Sequence, residues 1–320
     1  MDDNRRRHRS PRGTSGGGRD QRIRAGRRTV TVHRPDKVLF PRDGLTKADL
    51  ADYHARLARH MVPELRGRPL MLERCPEGVG ERPHFMQKET PAHYPDWVRR
   101  AELAKEGGTV NHTVCDNAAT LVYLADQASV TLHRWLSRAD RPDRPDRLVV
   151  DLDPPHDDFE RAREAARQVR DLLDQLRLPA ALMSTGSRGL HVVVPLDGRT
   201  DFDGCRTFAH ELAEVLAARH PDTLTTAFRK YRRGDRLYLD VQRNAYAQTA
   251  VAPWSVRARE GGPIAVPLPW ERLDDPDLGP RAYSLRDVKA VRELAESRPW
   301  SDLGRARGLR AARERLHRLD

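Results

Sequence analysis

Apolar residues recur along this chain at two spacings, one of which predicts helices and the other strands. The first helical stripe, at intervals of three or four residues, consists of Leu50, Tyr53, Leu57 and Met61. Thr46 and Asp49 stand where a capping box would begin that helix, and we expect the helix to end before Pro63. Similar stripes predict a second amphipathic helix over 159–176 and a third over about 205–219.

Short apolar runs bounded by turn residues predict the strands. They cover 148–152, 181–183, 190–194 and 237–241, and their lengths are typical of buried strands. Side chains alternate between the two faces of a strand, so Asp151 and Asp153, at the end of the first run, share one face. A third acid, Asp240, lies near the end of the last run.

The acids at these strand ends predict a cation site. At about 4–6 Å apart, two carboxylates repel unless a cation lies between them, and oxygen ligands at this spacing suit Mg²⁺ or Mn²⁺. Pro154 and Pro155 cannot extend the sheet, so the acids lie where the strand stops. The alternative for an isolated D-x-D sequence is an Asp-Pro turn that caps the next helix. Asp240 favours the cation site.

The segment between two of the runs is rich in glycine and hydroxyl groups. Its residues are Ser184, Thr185, Gly186, Ser187, Arg188 and Gly189. Glycines let backbone N–H groups approach a phosphate, and the hydroxyls and the guanidinium add donors. The segment is not a P-loop, because it lacks G-K-[ST] and a strand follows it. An ordinary hairpin turn would have the same composition.

Together these features predict a site for two-metal phosphoryl transfer. Three strand-end carboxylates would bridge the ions. The donor-rich hairpin, the neighbouring His191 and a downstream arginine, Arg257, would surround the negative charge of a triphosphate.

Length and composition limit the class of protein. The chain has 320 residues, 38% of them hydrophobic, which suffices for one sizeable core or two small ones. No apolar run approaches the roughly 20 residues that span a bilayer, and the Arg-rich start lacks the apolar segment of a signal peptide. Cys75, Cys115 and Cys205 are odd in number and far apart, which indicates free thiols in a reducing compartment. We therefore expect a protein that stays inside the cell, in the cytoplasm.

Positive charge is concentrated at the two ends. Residues 1–28 carry +7 and residues 301–320 carry +3 of the formal net charge of +11. We interpret 1–28 as a disordered Arg/Gly-rich arm, 29–300 as the catalytic domain and 301–320 as a basic C-terminal tail. The arm would serve either solubility or salt-dependent phosphate contact. Because the tails supply most of the charge, it is weak evidence for nucleic-acid binding.

The order of the motifs resembles the polymerase domain of bacterial ligase D. The motifs are D-L-D-P at 151–154, S-x-G-S-R-G-L-H-V at 184–192, L-Y-L-D-V-Q-R-N at 237–244 and A-P-W-S-V-R at 252–257. The similarity extends over about 30–290 and includes V-L-F-P, G-L-T-K-A-D-L and F-M-Q-K. That domain belongs to the archaeo-eukaryotic primase superfamily and works in non-homologous end joining with Ku. The resemblance implies an α/β (α+β) fold with a primase-type catalytic core, a mixed sheet with an RRM-like half and an N-terminal α/β portion.

The resemblance also implies the functional residues. The metal ligands would be Asp151, Asp153 and Asp240. The nucleotide-binding residues would be His133, Thr185, Arg188, His191, Arg233 and Arg257. Lys37 and Lys47 would contact the 5′-phosphate at a DNA gap, Phe85 would stack on a base, and Lys88 would be its basic neighbour. Family members favour ribonucleotides and manganese, so the expected cofactor is a pair of Mn²⁺ or Mg²⁺ ions.

Three residues depart from the family pattern. They are Glu73, Met86 and Arg243. Glu73 stands where some relatives have a basic residue and Arg243 where the family pattern has Gln, so the resemblance implies altered finer contacts to nucleotide and template. The chain also lacks the K-x-D-G motif of a ligase nucleophile, so we expect a stand-alone enzyme that depends on a separate ATP-dependent DNA ligase.

The resulting hypothesis is a DNA repair polymerase/primase that adds ribo- or deoxyribonucleotides to 3′ ends at gaps and double-strand breaks. Its partners would be 5′-phosphorylated DNA ends, nucleoside triphosphates, Ku and the ligase. Binding to DNA would make it nucleoid-associated, and we expect no association with a membrane. The alternative is a catalytically silent adaptor that binds DNA ends. A weaker alternative is a D-x-D glycosyltransferase or a phosphoesterase, against which the hairpin loop and the lysines argue.

Overall fold

The computed structural model describes residues 19–80, 84–301 and 303–319. Its α-helices are α1 (Lys47–Leu65), α2 (Ala118–Asp126), α3 (Phe159–Gln175), α4 (Phe202–Arg219), α5 (Val288–Glu296) and α6 (Leu309–Leu316). Its first nine strands are β1 (Gln21–Ala25), β2 (Arg28–Val32), β3 (Val38–Phe40), β4 (Leu45–Thr46), β5 (Leu70–Arg74), β6 (Phe85–Gln87), β7 (Arg100–Lys105), β8 (Gly108–Thr113) and β9 (Ser129–Trp135). The other strands are β10 (Ser137–Arg138), β11 (Arg141–Pro145), β12 (Arg147–Asp153), β13 (Ala181–Ser184), β14 (Leu190–Pro195), β15 (Leu224–Thr225), β16 (Leu237–Asp240), β17 (Thr249–Val251) and β18 (Pro267–Leu268). No helix in these ranges is long and apolar enough to cross a lipid bilayer.

The larger sheet has six strands in the order β15-β16-β12-β14-β13-β18. Only the β15–β16 pair is parallel. Along the chain, β12-α3-β13-β14-α4-β16 is the β-α-β-β-α-β order, and its spatial order β16-β12-β14-β13 is that of RRM-like domains. The predicted mixed α/β fold with an RRM-like half is confirmed.

A second sheet, of four antiparallel strands in the order β17-β9-β5-β6, packs against the first. Val149 of β12 and Val193 of β14 share a small apolar cluster with Ala250 of β17. On the opposite face of β12, Val150 and Leu152 belong to the main core together with α3 and α4. The polar face near the end of β12 therefore looks toward the second sheet.

Helix α1 begins as predicted but ends later. The Asp49 N–H donates to Thr46 Oγ1 (3.3 Å) and the Thr46 N–H donates to Asp49 Oδ2 (2.7 Å), which completes the capping box. The expected end before Pro63 is wrong, because the helix continues to Leu65. A proline removes one backbone bond, whereas Arg66 N–H still donates to Val62 O (2.8 Å) and Leu65 is completely buried.

The disordered arm predicted over 1–28 is wrong for its last residues. Strand β1 pairs antiparallel with β2, with Ile23 opposite Val30. Ala25 and Val30 are buried, but the arginines between them hid this apolar face in the sequence. Residues 1–18 lie outside the described residues. The basic tail predicted over 301–320 contains α6, which packs on α4 and buries three apolar side chains, Leu309, Ala312 and Leu316.

Candidate active site

Asp151 lies directly opposite two other predicted site residues, one on each neighbouring strand. It faces Asp240 across the β12–β16 pair and His191 across the β12–β14 pair. Residues directly opposite in an antiparallel pair point to the same face, with Cβ atoms about 4.5–5.5 Å apart. Asp153, two residues along β12, shares that face. The backbone thus gathers all three acids.

Asn244 holds this register. The described pairing of β16 with β12 runs from Asp151 to Asp153. Beyond it, the Asn244 side chain forms hydrogen bonds with the β12 backbone. Its Oδ1 accepts a hydrogen bond from Val149 N–H (2.9 Å), and its Nδ2 donates to Val149 O (2.7 Å) and to Val241 O (2.9 Å). The turn that follows Asp240 is therefore fixed to β12.

Basic side chains contact both acids of β12. Arg188 forms a two-pronged ion pair with Asp153, in which Nε lies 3.1 Å from Oδ1. His191 Nε2 and Arg243 Nε lie 3.4 Å and 3.6 Å from the two Asp151 carboxylate oxygens.

These environments move the two pKa values in opposite directions. Burial disfavours the charged form of Asp151, but His191 and Arg243 outweigh it and lower the pKa of this carboxyl. Burial is the main cause for Asp153, whose pKa is raised even though Arg188 opposes the shift. Asp151 is therefore the more firmly ionised of the pair.

The donor set fits divalent cations in chemistry and backbone position. Among the described residues, no three acid, histidine or cysteine side chains already converge as ligands. The Asp151 and Asp153 carboxylates instead contact the basic side chains of His191, Arg243 and Arg188. The Arg188 and Arg243 side chains are nearly half exposed, so they can turn away when a cation arrives. Three carboxylates on one sheet face are the hard oxygen donors that Mg²⁺ and Mn²⁺ prefer.

A cavity of about 220 Å³ adjoins the acids on the His191 side. It brings together seven of the predicted residues, which are His133, Asp151, Asp153, Thr185, Arg188, His191 and Arg257. Four different parts of the fold supply them: the second sheet, the first sheet, the loop after β13 and the segment after β17, which carries Arg257. Ser187, one of the hydroxyl donors predicted for the loop, also lines the cavity, as do Arg243 and Arg259. The sequence interpretation gave these two arginines no binding role. Arg259 follows the predicted Arg257 by two residues, and this spacing could have indicated Arg259 as a second cationic residue of the site.

Close packing shapes the loop between β13 and β14. The Thr185 hydroxyl donates to Gly189 O (3.0 Å), and it accepts from the N–H groups of Ser187 (3.2 Å) and Gly189 (3.3 Å). A Cβ on Gly189 would lie 1.9 Å from Leu152 O. The glycine is therefore required for the loop to lie against β12, and Thr185 acts inside the loop as well as lining the cavity.

The rear of the cavity is strongly cationic. Burial is the main cause that lowers the pKa of His133 to about 3, and Arg257 and Arg243 add to it. The Arg257 Nη1 donates to Thr185 O (2.8 Å), while its Nε is buried without a partner. A neutral imidazole beside an arginine with an unused donor suits an anionic group.

Arg233 lies outside this cavity. Its guanidinium donates to Ala227 O (3.0 Å) and Phe228 O (2.7 Å), and it lies 3.9 Å above the Tyr238 ring. The structure thus uses Arg233 to hold its own loop.

The two predicted DNA-binding lysines occupy one region near the start of α1, but in different environments. Lys37 pairs with Glu77 (3.4 Å). Lys47 is only 6% exposed, and its Nζ donates to His33 O (2.8 Å) and Asp126 Oδ1 (3.4 Å). Burial lowers the pKa of Lys47, with Asp126 opposing the shift.

The predicted stacking residue lies on the surface. Phe85 is 56% exposed on the edge strand β6, and Lys88 just beyond it is exposed too. Among the departures, Met86 is exposed and pairs with Glu73 across the β5–β6 pair. Glu73 counters the pKa-lowering effect of burial on Arg257, which places it near the rear of the cavity.

Known proteins resemble this chain over most of its length. A family model described as the LigD primase-polymerase domain matches residues 46–300. The multifunctional non-homologous end joining DNA repair protein LigD of Mycobacterium tuberculosis is 34% identical over 304 residues, which are 90% of this chain and 40% of that protein. The bifunctional LigD of Bacillus subtilis is 30% identical over 255 residues, or 79% of this chain and 41% of that protein. The chain spans less than half the length of these curated relatives.

A solved structure shows the same fold. The polymerase domain from Mycobacterium tuberculosis ligase D, in complex with DNA, superposes with a TM-score of 0.79 at 33% identity, covering 86% of this chain and 99% of that one. Sequence and fold agree in the assignment: the chain belongs to the LigD primase-polymerase domain family.

Proposed function

We propose that this chain adds nucleotides to DNA 3′ ends at gaps and double-strand breaks in non-homologous end joining. The observation that carries the proposal is the row Asp240, Asp151 and His191 on one sheet face, with the cationic cavity beside it. Family membership supports it, since the relatives are end-joining proteins.

In the reaction, the 3′-hydroxyl oxygen of a primer bonds to the α-phosphorus of a nucleoside triphosphate, the bond from that phosphorus to pyrophosphate breaks, and the hydroxyl proton passes to solvent water. Asp151, Asp153 and Asp240 would hold two divalent ions, Mn²⁺ or Mg²⁺, which when bound lower the pKa of the hydroxyl and stabilise the leaving group. Arg257 and the N–H groups of the 184–189 loop would bind the triphosphate. Arg188 would join them once released from Asp153.

The cavity is smaller than the roughly 300–1,000 Å³ of pockets that enclose a whole small molecule. We infer that it holds the phosphate end of the nucleotide and leaves the base outside, where a template strand pairs with it. Phe85 and Lys88 would contact DNA. Lys37 would bind the 5′-phosphate across the gap. Lys47 donates two of its three N–H groups to His33 and Asp126, and it would donate the third to the same phosphate.

The test is primer extension on a gapped duplex with a 5′-phosphate, supplied with Mn²⁺ and ribonucleotides. The proposal expects the primer to lengthen by the size of the gap. A protein that shifts the DNA in a gel without lengthening it would be the end-binding adaptor, and turnover of sugar nucleotides without extension would indicate the glycosyltransferase. Ku and a separate ATP-dependent ligase are the proposed partners, with cytoplasmic DNA ends as the place of action.

A further inference from the structure

The segment between β15 and β16 presents exposed aromatic side chains. Phe228 and Tyr231 are 71% and 72% exposed, the two highest values for large hydrophobic or aromatic residues in the described part of the chain. Exposing two rings to water is unfavourable. We call residues 228–236 the aromatic-basic loop.

The same loop is strongly cationic. Its charged residues are Arg229, Lys230, Arg232, Arg233 and Arg236, with Asp235 as the single acid. Within the described ranges, no carboxylate pairs with Arg229, Lys230 or Arg232, and all three are exposed. The loop therefore has an unneutralised positive charge around its two rings.

The loop has a defined shape, which its own arginines hold. Arg233 donates to two carbonyls at the start of the loop. Arg236 donates to Arg233 O (2.9 Å) and Arg232 O (2.8 Å), and Arg161 of α3 donates to Asp235 O. The rings are presented on an ordered backbone, so binding would cost little ordering entropy.

The loop also rises from the catalytic face. Arg233 lies over the ring of Tyr238, which is opposite Asp153 in the sheet. Tyr238 precedes Asp240 by two residues, or about 7 Å along a strand. A polymer that reaches the acids from this side must pass the loop.

We propose that the aromatic-basic loop binds unpaired DNA that leads to the site, with bases stacked on Phe228 and Tyr231 and phosphates paired with Arg229, Lys230 and Arg232. Aromatic rings within a basic surface are the standard means of holding single strands without sequence preference. Protein interfaces also favour aromatic residues and arginine, but their centres are depleted in charged residues and in lysine, whereas exposed cations without a carboxylate partner surround the two rings of this loop. The inference rests on the proposed function in one respect: it identifies the bound DNA as the strand that the active site copies or extends.

The test measures binding of a 12-nucleotide oligo-dT and of an abasic oligomer of equal length, without metal or nucleotide. Changing Phe228→Ala and Tyr231→Ala together should weaken oligo-dT binding by at least about fivefold per ring, the low end of about 1–3 kcal/mol per stacked base. Binding of the abasic oligomer should hardly change. Tyr231→Phe keeps the ring but loses the hydroxyl that accepts from Arg229 Nη1 (3.0 Å), so it should retain most of the oligo-dT binding that Tyr231→Ala loses.

A second variant tests the phosphate contacts. Changing Arg229, Lys230 and Arg232 to Gln should weaken binding of both oligomers and reduce the slope of log affinity against log salt by about 0.7 per lost phosphate contact. The matched control, Lys289→Gln with Arg310→Gln, removes two highly exposed cations on α5 and α6. It should leave the discrimination between the oligomers unchanged.

The inference is overturned if the folded double-alanine variant binds oligo-dT within twofold of the unmodified protein. It is also overturned if the double-alanine variant and the triple-glutamine variant lose affinity for a poly-glutamate peptide by the same factor as for DNA. Failure of the polymerase proposal is a separate result. A protein that binds oligo-dT through the loop yet never lengthens a primer would refute the polymerase activity but support the role of the loop in DNA binding.

Discussion

Asp240 lies directly opposite Asp151 across the β16–β12 strand pair, although the two residues are far apart in the sequence. The face that they share also holds Asp153, and His191 stands on the other side of Asp151. The pairing of three strands therefore creates the acidic site, and several predictions depend on that geometry.

Asp240→Asn should reduce nucleotide addition by at least about 100-fold, because the charge stabilisation that a bound metal supplies is worth several kcal/mol. Gapped-duplex affinity should change little. Primer extension and gel shift measure the two quantities. Asp143→Asn, an exposed acid in β11, is the control. Undiminished extension by a folded Asp240→Asn protein would exclude the metal role.

Arg243→Gln should lower the Mn²⁺ concentration at half-maximal activity by about two- to fivefold. Arg243 contacts Asp151 and so competes with a metal for that carboxylate, but the arginine is partly exposed, which limits the effect to about 0.2–1 kcal/mol. Metal titration of primer extension measures the change. A higher Mn²⁺ requirement would show that Arg243 helps to bind substrate or metal instead.

Gly189→Ala should destabilise the fold by about 1–3 kcal/mol and distort the 184–189 loop, because the added Cβ overlaps Leu152 O. Urea unfolding gives the free-energy change. Gly279→Ala, where a Cβ meets nothing within 4 Å, should cost far less. Equal stability of the two variants would contradict the close approach of the loop to β12.

Glu64→Gln should cost about 3 kcal/mol at neutral pH, because it leaves the buried Arg134 without its partner at 2.6 Å. Burial alone would raise the pKa of Glu64, but Arg134 outweighs it and the pKa is lowered. A lowered pKa contributes stability above the unfolded value of 4.5, and this is lost as pH falls through the folded value. The variant should therefore lose less stability below pH 4.5 than the unmodified protein in acid unfolding. Asp52→Asn, in an exposed pair with Arg56, is the control, and an unchanged acid profile would contradict the assignment.

Lys37→Gln should abolish the preference for a 5′-phosphate over a 5′-hydroxyl at the far side of the gap. Lys37 is the more accessible of the two candidate lysines, so we expect the proposed phosphate contact to depend on it. The readout is the ratio of extension on the two substrates. Lys105→Gln, an exposed lysine in the β7–β8 hairpin, should keep the ratio, and a retained preference in Lys37→Gln would place the phosphate elsewhere.

The fold of the RRM-like half was predictable because its strands are uninterrupted apolar runs and its helices have regular stripes. Strand β1 was not, because alternating arginines mask Ile23 and Ala25, which are packed only through β2 and the helices beneath. The length of α1 was also missed, since the burial of Leu65 that outweighs Pro63 is a tertiary effect.

Seven of the cavity residues followed from the motifs and the family resemblance, but their local partners did not. Lys47 appears in the sequence as an ordinary surface lysine, and its burial depends on Asp126, which is distant in the chain. Arg233 was assigned to a nucleotide, whereas the structure shows it on carbonyls of its own loop. Such contacts require knowledge of which loops meet, and periodicity does not provide it. The roles of the site residues stay predictions.

The side-chain amide of Asn244 has a consequence for fidelity of assembly during folding. A strand as short as β16 has few backbone bonds to resist sliding, and a slip by one position would turn its acid toward the apolar core. The amide binds both the backbone N–H and the backbone C=O of a single residue, Val149, so any misaligned arrangement loses both bonds at once. An uncharged residue thus stabilises the strand alignment in which the acids share one face.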